Sequence, residues 1–247
     1  MITLTLLAFF FSFLFSLGGV GSAVILLPIM FSLGIPLNEA KPTGLLINTL
    51  SMSGATYSNY KLKTLDVSIG MPIIIFSVIC APVGAYLSTY ISEKIIMSIF
   101  ICFMLFSGCI MLFFRAKKYE NNYRKDRPFT LLSSVGIFAG IISGLLGVGG
   151  GGIISPLLIL SGFNPKKVAA VTAFVVPFSS LTGFITYSMM GSTHLQLLAL
   201  VSLSAFLGGY LGTNFMQSRL KPGTVKKFLG IIMFVMAIKL ITKVIGE

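Results

Sequence analysis

Long apolar runs constrain this chain more than anything else in it. The stretches 67–91, 95–114 and 129–146 contain no charged residue, and each is long enough as a helix to cross the roughly 30 Å of a bilayer's hydrocarbon core. Inside lipid every backbone N–H and C=O must be paired within the protein, which leaves helices and closed barrels. Runs of this length select helices. Composition agrees: 55% of the 247 residues are hydrophobic and 10% are charged, where a soluble domain carries about a quarter. The chain reads as an all-α polytopic membrane protein in contact with the lipid bilayer, expected as a multi-pass protein of the plasma membrane. The opening MITLTLLAFFFSFLFSLGG lacks a basic region and a small-x-small cleavage site, so it reads as the first membrane element and not as a signal peptide.

A net charge of +12 invites a nucleic-acid reading, but its distribution argues against one. Arg115, Lys117, Lys118, Arg124, Lys125 and Arg127 share one polar stretch, and nearly all the rest lie in short connections between apolar runs. Lys and Arg held on the cytoplasmic side encode orientation in a membrane. No nucleic-acid partner is expected.

The polar stretch 115–128 divides the chain nearly in half, and the halves resemble each other. A shift of 128 places matches Leu17 to Leu145, Gly19 to Gly147, Val20 to Val148, Gly21 to Gly149, Ile25 to Ile153, Pro28 to Pro156 and Gly34 to Gly162. After a one-residue gap Thr43 meets Thr172, Ser51 meets Ser180 and Gly54 meets Gly183. Glycines, prolines and threonines shared in one order point to an internal repeat: a transmembrane repeat at 1–114, a basic cytoplasmic loop at 115–128 and a second transmembrane repeat at 129–247.

Each half holds five apolar pieces, at 3–17, 23–34, 42–60, 67–91 and 95–114, then at 129–146, 152–161, 168–190, 195–216 and 225–243. The second piece of each is too short to span, at about 15–18 Å as helix. Pieces one and two form either one broken crossing, giving parallel repeats, or a re-entrant hairpin, giving inverted repeats with three full spans each. With the central loop inside, the parallel arrangement puts ten Lys and Arg inside and eight outside, whereas the inverted one puts fourteen inside and four outside. The charge rule favours inverted repeats.

The first two pieces of the second half are joined by GLLGVGGGGIIS, with six glycines in the nine positions 144–152. Broken backbone at membrane depth is tolerated only where it is buried in protein or lines an aqueous cavity. The short helix that follows begins with unpaired N–H donors and the positive end of a helix dipole, a seat for an anion. The first half repeats the device as GGVGSAVILLP. Close helix packing is the alternative for any one glycine cluster. Two clusters at equivalent positions, each followed by a half-length helix, favour a site of the kind found in secondary transporters. The next span of the first half carries Thr43, Asn48, Thr49, Ser51, Ser53 and Thr56; its counterpart offers Thr172, Ser179, Ser180 and Thr182, with Pro177 at mid-helix freeing a carbonyl. These groups can line a polar path or serve as hydrogen-bonding glue between helices.

Several classes fall away. The acidic residues Glu39, Asp66, Glu93, Glu120, Asp126 and Glu247 all sit at loop or terminal positions, so no intramembrane carboxylate offers the ion relay that cation transport needs. His194 falls in a predicted loop; Cys80, Cys102 and Cys109 show no ligand spacing and read as buried apolar residues. Neither an enzyme, a metal site nor a cofactor is expected. Lys239 is the one cation read as lying well inside a span, either snorkelling to the interface or serving as a counter-charge to substrate.

GGVGSAVILLP and GLLGVGGGGIISPLL, each opening one half, resemble the signature of the sulfite exporter TauE/SafE family of membrane permeases, as does AAVTAF beside AKPTGL. Ser22 and Ala23 stand where that family commonly has glycine, and Gly44 where it has serine. The resemblance implies transport of sulfite, a sulfonate such as sulfoacetate, or a related sulfur anion. It points to the helix breaks at Pro28 and Pro156, to Thr43 and Thr172, and to the polar face at Asn48, Ser51 and Ser180. With the glycine turns, the substrate-binding set becomes Gly19, Gly21, Ser22, Thr43, Asn48, Ser51, Gly147, Gly149, Gly150, Gly151, Thr172 and Ser180, with Pro177 a third helix break. The partner is a small anion, exported by movement of the repeats against each other. A permease for a carboxylate or amino acid, a passive anion channel, an accessory subunit and a homo-oligomer stay open.

Overall fold

A computed structural model of the chain describes residues 2–16, 19–113, 124, 126–191, 198–219 and 222–246. Among the described residues there are ten α-helices and no strand: α1 (Ile2–Ser16), α2 (Ala23–Ser32), α3 (Leu37–Lys61), α4 (Val67–Tyr90), α5 (Glu93–Phe113), α6 (Phe129–Leu146), α7 (Gly151–Leu160), α8 (Pro165–Met189), α9 (Leu198–Arg219) and α10 (Pro222–Gly246). Arg115, Lys117, Lys118, Glu120, Lys125, His194 and Glu247 lie outside the described residues.

Helices α4, α5, α6 and α8 are long and apolar enough to cross a membrane. Helix α3 is as long as α8, at 25 residues, but it carries Asn48, Thr49, Ser51, Ser58 and Asn59, all buried within the protein. A helix with such a polar face is kept from lipid by its neighbours. It also starts five residues before the run expected from position 42, with Pro36 as its N-cap and Pro42 inside it. Helices α2 and α7 have 10 residues each, about 15 Å, which is half a crossing.

Small residues set the packing. On α6, Gly136, Gly140 and Gly144 lie against Ile73, Ser77 and Ala81 of α4 in that order, so the two helices run parallel with their backbones in close approach. On α9, Gly208 and Gly212 lie against Phe9 and Phe13 of α1 in the same way. Helix α8 is parallel to α4, with Phe174 at Gly70 and Tyr187 at Ser88. It is antiparallel to α3, with Ser180 at Asn48 and Ala173 at Thr56. Helix α9 packs on α3 and α5 on α10. Two helix groups result, α4 with α6 and α8, and α9 with α1 and α3, meeting along α3 and α8.

The connections gather by charge. Asp66, before α4, bonds Lys167 at the start of α8 at 3.0 Å and pairs with Arg127, before α6, at 3.7 Å. Partial burial pushes the Asp66 pKa up, but the Lys167 hydrogen bond and the charges of Lys167 and Arg127 prevail and hold it below the usual carboxylate value. The Arg124 N–H donates to the Gly162 carbonyl, so α6 and α8 both start on this face, although α6, α7 and one further turn lie between those starts.

Candidate functional site

The two glycine breaks meet inside the protein. Between α1 and α2, Gly19 and Gly21 have φ of 66° and 89°; between α6 and α7, Gly147, Gly149 and Gly150 have 73°, 78° and 67°. These left-handed values are open to glycine and strained for other residues. A Cβ on Gly151 would run into the Val20 carbonyl oxygen, so the two segments touch. Asn48 of α3, fully buried, is wedged between them. A Cβ on Gly21 would overlap its Oδ1, and one on Gly149 would overlap its Nδ2 and the Ser180 hydroxyl. Asn48 Nδ2 donates to Ser180 Oγ at 3.1 Å. The glycines are thus required twice over, by backbone conformation and by the amide that fills their side-chain space.

Polar groups at this centre exceed the partners found for them. Asn48 Oδ1 and the hydroxyls of Ser22, Ser51 and Ser143 are buried without a hydrogen-bond partner among the described residues. Each such group costs about 1–3 kcal/mol and calls for a ligand, a water or a function. In α7 the helical bonds begin with Ile153 and Ile154, both donating to the Gly150 carbonyl, and the Gly151 N–H is taken by the Gly149 carbonyl at 2.8 Å. The described carboxylates, Glu39, Asp66, Glu93 and Asp126, all sit at helix starts or in connections. The centre is polar, uncharged and at the positive ends of two half-helices, where a small anion would be favoured.

Other expected residues have different duties. Thr43 donates to the Glu39 carbonyl, Thr49 to Leu45 and Ser53 to Thr49, each hydroxyl proton bonded within its own helix and so not bridging to a neighbouring one. Thr172 accepts from Ser155 of α7 at 3.2 Å. Ser51 shares the buried face of Asn48, and its carbonyl abuts Gly209 of α9. Pro28, Pro156 and Pro177 lie inside α2, α7 and α8. Proline cannot bond the carbonyl four residues earlier. For Pro156 that carbonyl is Gly152's, which accepts from Ser107 of α5 at 2.8 Å; for Pro177 it is Ala173's, 2.6 Å from Thr56 Oγ1. Ser22 caps α2 with right-handed φ of −73°, where Gly150 caps α7 left-handed, so a side chain is tolerated there. Lys239 is exposed. Among the described residues the buried cation is Lys41, 4% exposed within α3. Reading Pro42 as the start of the span hid it, although a helix that tolerates proline in its second turn carries Lys41 with it.

Membrane-length helices around two half-helices, with broken backbone meeting at a buried polar centre, define a multi-pass membrane protein of the discontinuous-helix kind used by secondary transporters. Comparison makes this specific. The chain belongs to the sulfite exporter TauE/SafE family, whose profile matches residues 4–240, and it is a membrane transporter. It is 27% identical over 252 residues to "Probable membrane transporter protein YunE" of Bacillus subtilis, covering 92% of each chain. It is 29% identical over 216 residues to "Probable membrane transporter protein YdhB" of the same organism, covering 85% of this chain and 86% of that one. Sulfite exporter TauE/SafE family protein 5 of Arabidopsis thaliana is 33% identical over 102 residues, 41% of this chain and 23% of its own.

Proposed function

We propose that the protein exports a small anion, a sulfur oxyanion or organosulfonate, across the plasma membrane, holding it between the two glycine breaks at Asn48 and Ser180. The observation that carries this is the convergence of both breaks on one fully buried, polar and uncharged centre. The family and the plant relative's name supply the sulfur chemistry; backbone N–H groups and hydroxyls supply the means. A cavity of about 340 Å³ between α3 and α8, lined by Ser53, Thr56, Tyr60, Leu65 and Pro177 among others, lies toward the basic face and offers an approach from the cytoplasm. Export of an anion from a cell with a negative interior gains about 2.3 kcal/mol per charge per 100 mV and needs no coupling ion.

The architecture that serves this is a pair of inverted repeats, 1–114 and 129–247, joined by the basic loop 115–128. Supporting it, left-handed glycines recur at Gly19 and Gly147, Gly21 and Gly149, and Gly34 and Gly162. Exchanging α1–α5 with α6–α10 turns each major packing pair into another: α4 on α6 becomes α9 on α1, and α3 on α9 becomes α8 on α4. In parallel repeats α3 and α9 would run in opposite directions; here Tyr57 meets Tyr210 and Asn59 meets Gln217, a parallel pair.

Thermal unfolding of the purified protein against sulfite, sulfate, thiosulfate, sulfoacetate, taurine, acetate and chloride tests the reading. A ligand at a hundredfold excess over its dissociation constant adds about 2.7 kcal/mol. A raised midpoint confined to sulfur anions is expected. A shift with acetate alone would make this a carboxylate permease, and no shift with any anion would return the glycines to packing.

A further inference from the structure

A buried lysine sits beside one glycine break and not the other. Lys41, in the second turn of α3, packs its backbone and Cβ on Gly147, where an added Cβ would lie 2.7 Å from Lys41 Cβ. At the other break the same place beside Gly19 is filled by Ala169 of α8, whose Cα would lie 2.8 Å from an added Cβ. An alanine does the packing there, so the charge on Lys41 is not needed to seat a break. That charge is expensive to bury unless it is paired. Among the described residues no carboxylate lies within 4 Å of its ammonium, and Glu93, the carboxylate whose charge acts on it, does so from beyond that distance; the described ion pairs use Asp66 and Asp126. Lys41 Nζ stands 5.9 Å from the centroid of the Tyr187 ring, a contact that offsets only part of the desolvation. The ring is fixed in turn, its hydroxyl donating to the Gly144 carbonyl at 2.8 Å and lying 2.7 Å from Ser88 Oγ.

We propose that Lys41 is the charge partner of the transported anion, a binding residue at the end of the path away from the Asp66 face. The proposal rests on reading the glycine breaks as an anion path. The centre at Asn48 and Ser180 holds the substrate by neutral donors. Lys41 then adds one full positive charge on one side, favouring a small oxyanion over an uncharged solute of similar shape.

Three substitutions separate charge from packing. Lys41→Met removes the charge and keeps an unbranched chain, Lys41→Ala installs the residue that serves beside Gly19, and Lys41→Arg keeps the charge. Each is reconstituted into liposomes, sulfite and sulfoacetate flux is measured against concentration, and the unliganded melting point is recorded. The expected KM rises about tenfold or more in the two neutral variants and stays near wild type in Lys41→Arg. Their unliganded melting points hold or rise, because a buried charge has gone. Unchanged KM in both neutral variants overturns the assignment and leaves the proposed function standing. Flux lost equally in all three, with lowered melting points, makes Lys41 a packing residue and also overturns it. A wild-type protein that carries neither anion would remove the anion path and this proposal together.

Discussion

A left-handed glycine can be required for its backbone, for its empty side-chain space, or for both, and this chain provides a matched pair. Gly34 has φ of 85° with nothing within 4 Å of an added Cβ, whereas Gly149 has φ of 78° with the Asn48 amide and Ser180 hydroxyl occupying that space. Gly34→Ala should cost only the left-handed strain, about 1–2 kcal/mol. Gly149→Ala adds a collision with a side chain that is buried on every side, and should destabilise at least twice as much and abolish any anion-dependent shift in melting. Equal losses in the two variants would mean that the Asn48 amide moves aside freely. The glycines were legible in the sequence because conformation is a local property and they recur at a fixed offset. The Asn48–Ser180 bond was not legible: it joins residues 132 apart in sequence, and the shift that aligns the halves matches Ser180 with Ser51 instead. Lys41 was hidden by its neighbour Pro42, a residue more often found at a helix's first turn than inside it.

Among the elements, the half-helices are interrupted by prolines, and each freed carbonyl needs a donor. Gly152's carbonyl, released by Pro156, is bonded by Ser107 from α5. Ser107→Ala alone leaves that buried acceptor unpaired, at about 1–3 kcal/mol. Pro156→Ala supplies an N–H to the same carbonyl from within α7, so the double variant should be less destabilised than the sum of the single ones. Additive losses in a double-mutant cycle by thermal melting would show that Ser107 and Pro156 do not act through this carbonyl. Helix number and the two half-length pieces could be read from apolar run lengths and glycine clusters. The duties of the hydroxyls could not. Thr49 bonding Leu45 within its helix and Ser107 bonding Gly152 across helices look alike in sequence, because the donor's partner is fixed by packing and not by residue type.

For the whole molecule, the packing bears on what moves. Movement of the sequence halves against each other requires α4 to slide on α6 and α9 on α1. Those are interfaces where Gly136, Gly140, Gly144, Gly208 and Gly212 bring backbones into close approach. Interfaces that tight are poor sliding surfaces, since every small displacement drives backbone into backbone. The looser boundary runs between the interleaved groups, along α3 and α8, where the cavity and the Asn48–Ser180 bond lie. On the proposed function, alternating access is expected to rock α1, α3 and α9 against α4, α6 and α8, with substrate at their contact. Cysteine cross-linking distinguishes the two motions. In a background lacking Cys80, Cys102 and Cys109, a Ser16→Cys, Thr213→Cys pair ties α1 to α9 at a point where the Thr213 hydroxyl already reaches the Ser16 carbonyl at 3.3 Å. This bridge joins the two sequence halves but stays within one helix group, so oxidation should leave flux nearly intact. A Thr56→Cys, Ala173→Cys pair bridges α3 and α8 across the boundary and should stop flux on oxidation and restore it on reduction. The opposite pattern, with the 16–213 bridge blocking and the 56–173 bridge harmless, would mean that the halves move as bodies and the interleaved groups do not.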